Sequence, residues 1–246
     1  MPGKLNIGTS GWSYKHWQEI FYPQSVKPAN YLEYYSRFFS CVELNSSFYH
    51  LPHAATVKGW IKRTPDAFLI CPKLSRYITH QLRLENCSQA LENFFERFDL
   101  MIGRIGPVLI QLPPGLKFDI ALMNDFFELL APYSQDYKFA LEIRHRSWIS
   151  DTVFQLLLKN NIGFVIADSG SRFPYHEAIT ADFVYLRLHG HEKLYASDYP
   201  ENEILKYAEK IKLWLSYEKD VWVFFNNDFS GFAIKNAMRL KELLHT

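Results

Sequence analysis

Short apolar runs of about five residues recur along the chain at residues 5–9, 41–45, 68–71, 107–112, 139–144, 163–167, 183–190 and 221–225. All but the sixth are followed by a segment whose apolar residues repeat at helical spacing, near residues 29–39, 54–63, 88–102, 119–130, 150–161, 203–217 and 230–244. The runs are apolar at odd and even positions alike, as parallel strands packed beneath helices are. Local signals agree. Pro28 can open the first helix, Ser88, Asp119, Ser150 or Asp151, and Ser230 stand where N-caps belong, and Pro72 stops the third strand. The pattern predicts an α/β chain. Eight units in 246 residues predict one domain over residues 1–246, a single (β/α)8 TIM-type barrel with parallel strands, a fold that typically takes about 250 residues. A doubly wound open sheet also alternates, but its Gly-rich phosphate turn is missing, since Gly8-Thr9-Ser10-Gly11 does not fit GxGxxG.

The informative positions are those where the runs stop being apolar. The fifth ends in Glu142-Ile143-Arg144, and period two puts carboxylate and guanidinium on one face. Burying such a pair costs several kcal/mol unless each charge is matched, which makes it a candidate functional feature. Other strand ends carry Glu43 and Asn45, Lys73, Gln111, Asp168, Arg187 and His189, and Asn226. In the expected barrel the C-terminal strand ends share one mouth, so these side chains should converge although distant in sequence.

Glu142, Glu43, His189 and Asp168 are the candidates for acid/base work near neutral pH. Two carboxylates across a barrel mouth also suit glycoside chemistry, where their spacing decides the outcome. Arg144, Arg187 and Lys73 read as cations that hold an anion, arginine being suited to bidentate recognition of carboxylate or phosphate. Asn45, Gln111, His80 and Asn226 supply a polar lining. Trp12, Tyr14 and Trp148 lie in loops just past strand ends, where rings either stack on a ligand or seal the top of the fold. His189-Gly190-His191 has the spacing of some metal sites, but three cations at the same mouth oppose a divalent ion, so a metal is not favoured and no metal ligand is assigned. Residues 190–201 form a polar, aromatic segment long enough to act as a lid.

Charge and composition narrow the partners. The formal net charge is +1, so no global field recruits nucleic acid or a membrane surface, and any anion site must be local. Hydrophobic residues at 48% and charged ones at 22% are ordinary globular usage, which excludes disordered and fibrous classes. Cys41, Cys71 and Cys87 are odd in number and form no CxxC pair, as expected of reduced, buried thiols in a cytoplasmic protein. Met1-Pro2-Gly3-Lys4 lacks the charged-then-apolar pattern of a signal peptide, and no stretch approaches the roughly 18 apolar residues of a spanning helix.

Gly8-Thr9-Ser10-Gly11-Trp12-Ser13-Tyr14, Glu43-Leu44-Asn45-Ser46-Ser47-Phe48-Tyr49, Thr79-His80, Gln111-Leu112-Pro113-Pro114, Glu142-Ile143-Arg144-His145-Arg146-Ser147-Trp148, Tyr185-Leu186-Arg187-Leu188-His189-Gly190 and Phe225-Asn226-Asn227 occur in this order along essentially the whole chain. Together they resemble the bacterial and archaeal family called domain of unknown function seventy-two, the YecE-like proteins. The resemblance implies a TIM barrel with these motifs lining its mouth. It implies no reaction, because the family has no settled activity. The residues themselves read as an enzyme, a hydrolase, lyase or isomerase, acting by general acid/base chemistry on a small anionic or polar metabolite. The alternative is a nucleic-acid-binding or metal-assisted phosphoester-hydrolysing barrel, against which stand the neutral charge and the lack of a basic stripe. A binding or scaffold protein is a third reading. No nucleotide-cofactor motif is present, and the sequence leaves cofactor and oligomeric state open.

Overall fold

The structure is a computed structural model that describes residues 3–245; Met1, Pro2 and Thr246, and with them part of the N-terminal reading above, lie outside the described residues. The elements in chain order are β1 (Leu5–Thr9), α1 (Tyr31–Tyr35), β2 (Cys41–Leu44), α2 (Ser46–Tyr49), α3 (Ala54–Arg63), β3 (Leu69–Pro72), α4 (Ser88–Phe98), β4 (Val108–Gln111), α5 (Ile120–Leu130), β5 (Phe139–Glu142), α6 (Asp151–Lys159), β6 (Ile162–Asp168), β7 (Phe183–Leu188), α7 (Glu201–Ser216), β8 (Asp220–Phe225) and α8 (Phe232–Leu244).

Every ladder is parallel. Six strands form one curled sheet in the order β1-β8-β7-β6-β5-β4, and β2 pairs with β3 apart from it. Single bridges span the gaps. Ser10 meets Glu43 on one side, where the Gly11 N–H donates to the Glu43 carbonyl at 2.8 Å, and Ile70–Ile105 and Lys73–Leu109 bridge the other. The fold is a parallel α/β fold whose ladders run six and two, not one continuous ring of eight.

The two faces of the strands carry separate cores, which is why the runs are apolar at both parities. Ile7, Val42, Ile70, Ile110, Leu141, Phe164, Leu186 and Val223 pack beneath the helices. The concave face holds Cys41, Cys71, Leu109, Ala140, Val165, Tyr185, Trp222 and Phe224. Each large apolar side chain so buried contributes roughly 1.5–3 kcal/mol. The concave core is tight: a Cβ on Gly106 would lie 2.3 Å from Cys71 Sγ and 2.7 Å from the Trp222 ring.

Capping follows the sequence in part. Asp119 accepts from the N–H groups of Ala121 at 2.9 Å and Leu122 at 3.0 Å, and Ser150 accepts from Val153 at 3.4 Å. Ser88 is instead the first residue of α4, after Cys87, and Ser230 sits at φ +53° in a tight turn with Gly231 at the N-cap of α8. Pro72 is the last residue of β3 and is paired, not excluded from the ladder. It stays in register with Leu44, because the ladder there draws its N–H from Lys73, which donates to the Leu44 carbonyl at 3.2 Å. The helix expected over 29–39 is shorter, a 3-10 turn at Pro28–Asn30 leading into α1, and the loop expected over 75–86 contains a π-helical turn at Tyr77–Gln81. No helix separates β6 from β7 among the described residues. All three cysteines are free and buried, and no helix of the described residues is long and apolar enough to cross a membrane.

Candidate functional site

Alternation along β7 places Tyr185 and Arg187 on the concave face, with His189 two residues beyond. Arg187 is the hub. Its Nε donates to Glu43 Oε2 at 2.9 Å, its Nη2 donates to Glu43 Oε1 at 2.6 Å, and its Nη1 donates to Glu142 Oε2. Glu43 also accepts from Ser10 Oγ at 2.7 Å and from the Tyr185 hydroxyl at 2.8 Å, so both its oxygens are engaged. Glu43, Glu142 and Arg187 are all essentially without solvent contact. Burial pushes the Arg187 guanidinium down, but Glu142 and Glu43 outweigh it and leave it above its usual range.

β4 and β5 bring Gln111 and Glu142 side by side in register. Arg144, two residues on, spans them: its Nη2 donates to Gln111 Oε1 at 3.1 Å and ion-pairs with Glu142 Oε1. That ion pair is not aligned as a hydrogen bond, and Glu142 Oε1 and Arg144 Nε have no hydrogen-bond partner among the described residues. The Arg144 guanidinium lies 3.8 Å over the Phe173 ring, from the irregular segment between β6 and β7. Burial alone pushes the Glu142 carboxyl up, yet Arg144 and Arg187 overcome it and hold the group well below the usual carboxylate range.

Lys73 leaves β3 on the same face. Its Nζ donates to Gln111 Oε1 at 2.8 Å and lies 4.0 Å from the Phe48 ring centroid. Burial and then the Arg187 charge lower its amine from 10.5 to about 7, against the opposing pull of Glu142 and Glu43. His189 is fully buried. Asn226 Nδ2 lies 3.0 Å from its Nδ1, and its Nε2 is 3.7 Å from Glu142 Oε1 and 3.5 Å from Arg187 Nη1. Burial and the Arg187 charge push the imidazole well below its usual range, so it is neutral at pH 7. Asn226 Nδ2 faces Nδ1, while Nε2 faces both the Glu142 carboxylate and the Arg187 guanidinium.

Above these groups, at the C-terminal ends of the strands, opens a cleft of about 330 Å³ lined by Tyr14, Asn45, Tyr49, Lys73, Gln111, Tyr195, Asn226 and Asp228. Asn45 Nδ2 and the Tyr14 hydroxyl both donate to the Ser10 carbonyl, at 3.3 and 2.5 Å. Tyr195 comes from the 190–201 segment and stands 5.6 Å from the His189 ring.

A family model described as "Protein of unknown function DUF72" matches residues 6–246. The chain belongs to the DUF72 family. Among curated relatives it is 27% identical to the UPF0759 protein YunF of Bacillus subtilis (strain 168) over 271 aligned positions, covering 98% of this chain and 94% of YunF. It is 29% identical to the UPF0759 protein YecE of Escherichia coli (strain K12) over 183 positions, covering 71% of this chain and 64% of YecE. A DUF72 family crystal structure from Thermotoga maritima MSB8 superposes with a TM-score of 0.85 at 30% identity, covering 99% of this chain and all of that one. Another from Enterococcus faecalis V583, at 22% identity and a TM-score of 0.83, covers 98% of this chain and 96% of its own and shares the fold.

In this DUF72 chain the strand-end set is brought together except for Asp168, and of the loop aromatics Trp12, Tyr14 and Trp148 only Tyr14 lines the cleft. Asp168 falls on the opposite parity from Val165 and Ala167; it accepts from the Tyr207 hydroxyl at 2.8 Å and from the Gly170 N–H at 3.0 Å, tying the segment after β6 to α7. Trp148 is buried in the outer core, where its Nε1 donates to the Leu116 carbonyl at 2.8 Å and its ring meets Phe118. Trp12 packs edge-on against Trp60 at 6.0 Å, beside the cleft and not lining it. His80 sits edge-on to Phe48 at 5.1 Å, and burial, Lys73 and Arg76 lower its imidazole to about 4. The His189-Gly190-His191 pair diverges, with the second ring 6.1 Å from Tyr199, and no group of three or more His, Cys, Asp or Glu side chains among the described residues is placed to hold a metal. Ser10 and Tyr185, which clamp Glu43, fall within motifs that the resemblance places at the mouth but carry no role of their own in the sequence pattern, and Phe173, which carries Arg144, falls in none of those motifs. Tyr185 was findable, being one strand period before Arg187; Phe173 lies in an irregular segment with no periodic signal.

A larger cavity, about 730 Å³, opens at the opposite strand ends against Leu69, Phe139, Ile162 and Trp222. The buried charge cluster lies at the other end, where ligands of parallel α/β sheets bind.

Proposed function

We propose that the eight strands close as a (β/α)8 barrel and that this DUF72 protein is a cytoplasmic enzyme, acting by general acid/base chemistry on a small anionic or polar metabolite held in the cleft at the C-terminal strand ends. The bridges across both gaps between the ladders support the closed barrel. The free, buried cysteines support a reducing compartment.

One observation carries the functional reading: Arg144 joins the cleft to the buried base, touching cleft-lining Gln111 and Glu142 with the same nitrogen while its Nε has no partner. A carboxylate or phosphate that enters the cleft and takes the place of Gln111 Oε1 at Arg144 Nη2 gains a guanidinium with donor capacity to spare. As the anion takes up Arg144, Glu142 loses part of a counter-charge but keeps the full cost of burial, so its pKa rises toward the range in which it accepts a proton. His189 Nε2, 3.7 Å away, faces the same oxygen. Glu43 has no oxygen left for substrate, and its part is to hold Arg187 in place. A base switched on beside a bound anion fits proton abstraction or leaving-group protonation, steps shared by isomerases, lyases and hydrolases.

The test is a thermal-shift screen of small carboxylates and phosphate esters, with wild-type protein and Arg144→Ala. An occupant at a hundred times its Kd should stabilise the wild type by about 2.7 kcal/mol. The variant should lose that gain. Equal stabilisation of both proteins, or of neither, contradicts the reading, and salt-sensitive retention on oligonucleotides would favour the nucleic-acid alternative in its place.

A further inference from the structure

We infer that Lys73 is a covalent nucleophile, its amine forming an imine with the aldehyde or ketone carbonyl of a small substrate whose carboxylate or phosphate is held by Arg144. The inference rests on the small-anion reading of the cleft and names a substrate class for it.

Charge matching is the first ground. The buried cluster contains two carboxylates, Glu43 and Glu142, each already ion-paired with an arginine. Lys73 has no such partner among the described residues. Its Nζ donates to the neutral carboxamide of Gln111 at 2.8 Å and rests 4.0 Å from the Phe48 ring centroid. A buried ammonium without a counter-ion gives up its proton more readily than it stays charged. The groups that set its titration are Arg187, Glu142, Glu43 and Arg144, and their sum with burial brings the amine to about 7. At neutral pH Lys73 then holds a free lone pair in a large fraction of molecules, on the order of a thousandfold more than an ordinary lysine.

Position is the second ground. Lys73 lines the cleft at the exit of β3. Its Nζ and Arg144 Nη2 converge on one acceptor, Gln111 Oε1, at 2.8 and 3.1 Å. An anionic group on Arg144 therefore sets a carbonyl one or two bonds away within reach of Nζ. Short 2-oxo acids and aldehyde acids have that shape.

The step balances within the site and solvent. The Nζ lone pair attacks the carbonyl carbon, a C–N bond forms, and the carbonyl π pair moves to oxygen, which receives a proton from nitrogen. The resulting hydroxyl leaves with the second nitrogen proton as water, giving the imine. Protonation of the imine nitrogen from solvent makes it an electron sink for the proton transfer assigned to Glu142, and hydrolysis reverses the sequence. No oxidant or reductant takes part.

Full-length protein treated at pH 7 with glyoxylate and sodium cyanoborohydride, then mapped by peptide mass spectrometry, tests this directly. Reduction traps an imine as one carboxymethyl group. Lys73 should carry it at least tenfold faster than exposed Lys27 and Lys58, the label should vanish from that peptide in Lys73→Arg, and oxalate, which has no carbonyl able to react, should protect the site. Label confined to surface lysines with Lys73 unmodified overturns the inference. If oxalate still stabilises the protein through Arg144 in that case, the anion site survives alone. If Lys73 is labelled but oxalate gives no protection, the nucleophile stands and the Arg144 reading fails.

Discussion

Arg187 donates from Nε at 2.9 Å and from Nη2 at 2.6 Å to the two oxygens of Glu43, a bidentate pair reached by essentially no solvent. Removing one member of such a pair strands the other charge in a dry interior, at a cost of about 3–5 kcal/mol. Glu43→Ala and Arg187→Met should each lose that much in denaturant unfolding, and the double variant should lose less than the sum. A cost under about 1 kcal/mol for Glu43→Ala, the range of an exposed pair, would show that the pair is solvated in solution.

Why this cluster was legible and other parts were not is a matter of strand period. Glu43, Glu142, Arg187 and His189 interrupt apolar runs at positions that share one face, so charge in the wrong place pointed to the site. Asp168 also ends an apolar run, but one residue out of phase with concave Val165 and Ala167, and so it joins α7. Trp148 was placed by its loop, and a loop ring carries no periodicity that separates cleft lining from core. The shortened helix α1 was set by tertiary packing, which overrides a weak apolar spacing, whereas the helix-free stretch after β6 matches the lack of helical spacing there. The break of the ladder between β1 and β2 and between β3 and β4 has no signature in the runs themselves.

Lys73 releases its proton more easily folded than unfolded. Its amine falls from 10.5 to about 7 because it is buried and faces Arg187. Between those values the unfolded chain holds a proton that the folded chain has shed, so this group's contribution to stability is greatest above the unfolded value and is lost as pH falls toward 7. The slope is at most about 1.4 kcal/mol per pH unit. Denaturant unfolding of wild type and Lys73→Met between about pH 7 and 9 should diverge by that slope. Parallel profiles would place the lysine at its ordinary value.

His189 governs the acid side. Burial and Arg187 keep it neutral in the folded protein, whereas the unfolded imidazole takes a proton below about 6.5. Its contribution is therefore complete above that pH and disappears as pH falls, followed at lower pH by that of Glu142, whose folded carboxyl is held ionised. His189→Gln should flatten the loss between about pH 6.5 and 5, measured by the same unfolding titration. An unchanged acid limb in the variant would assign the loss to other groups.

Gly190 turns the chain out of β7 at φ +110°, and a Cβ there would lie 2.5 Å from the Lys193 carbonyl oxygen and 3.0 Å from Ser197 Oγ. Gly190→Ala should cost about 1–3 kcal/mol in stability. It should also displace Tyr195, whose N–H donates to the His189 carbonyl at 2.5 Å, and so weaken anion binding in the thermal-shift assay. A variant with wild-type stability and binding would mean that this turn does not set the wall of the cleft.

If an anion sits on Arg144 in the cleft, a crystal structure of the protein soaked with oxalate will show it there. Oxalate is expected in the cleft of about 330 Å³, with a carboxylate oxygen hydrogen-bonded to the Arg144 guanidinium and Arg144 drawn away from Glu142. Oxalate bound only in the cavity of about 730 Å³ at the opposite strand ends, or a cleft without it and an unmoved Arg144, would mean that Arg144 holds no anion.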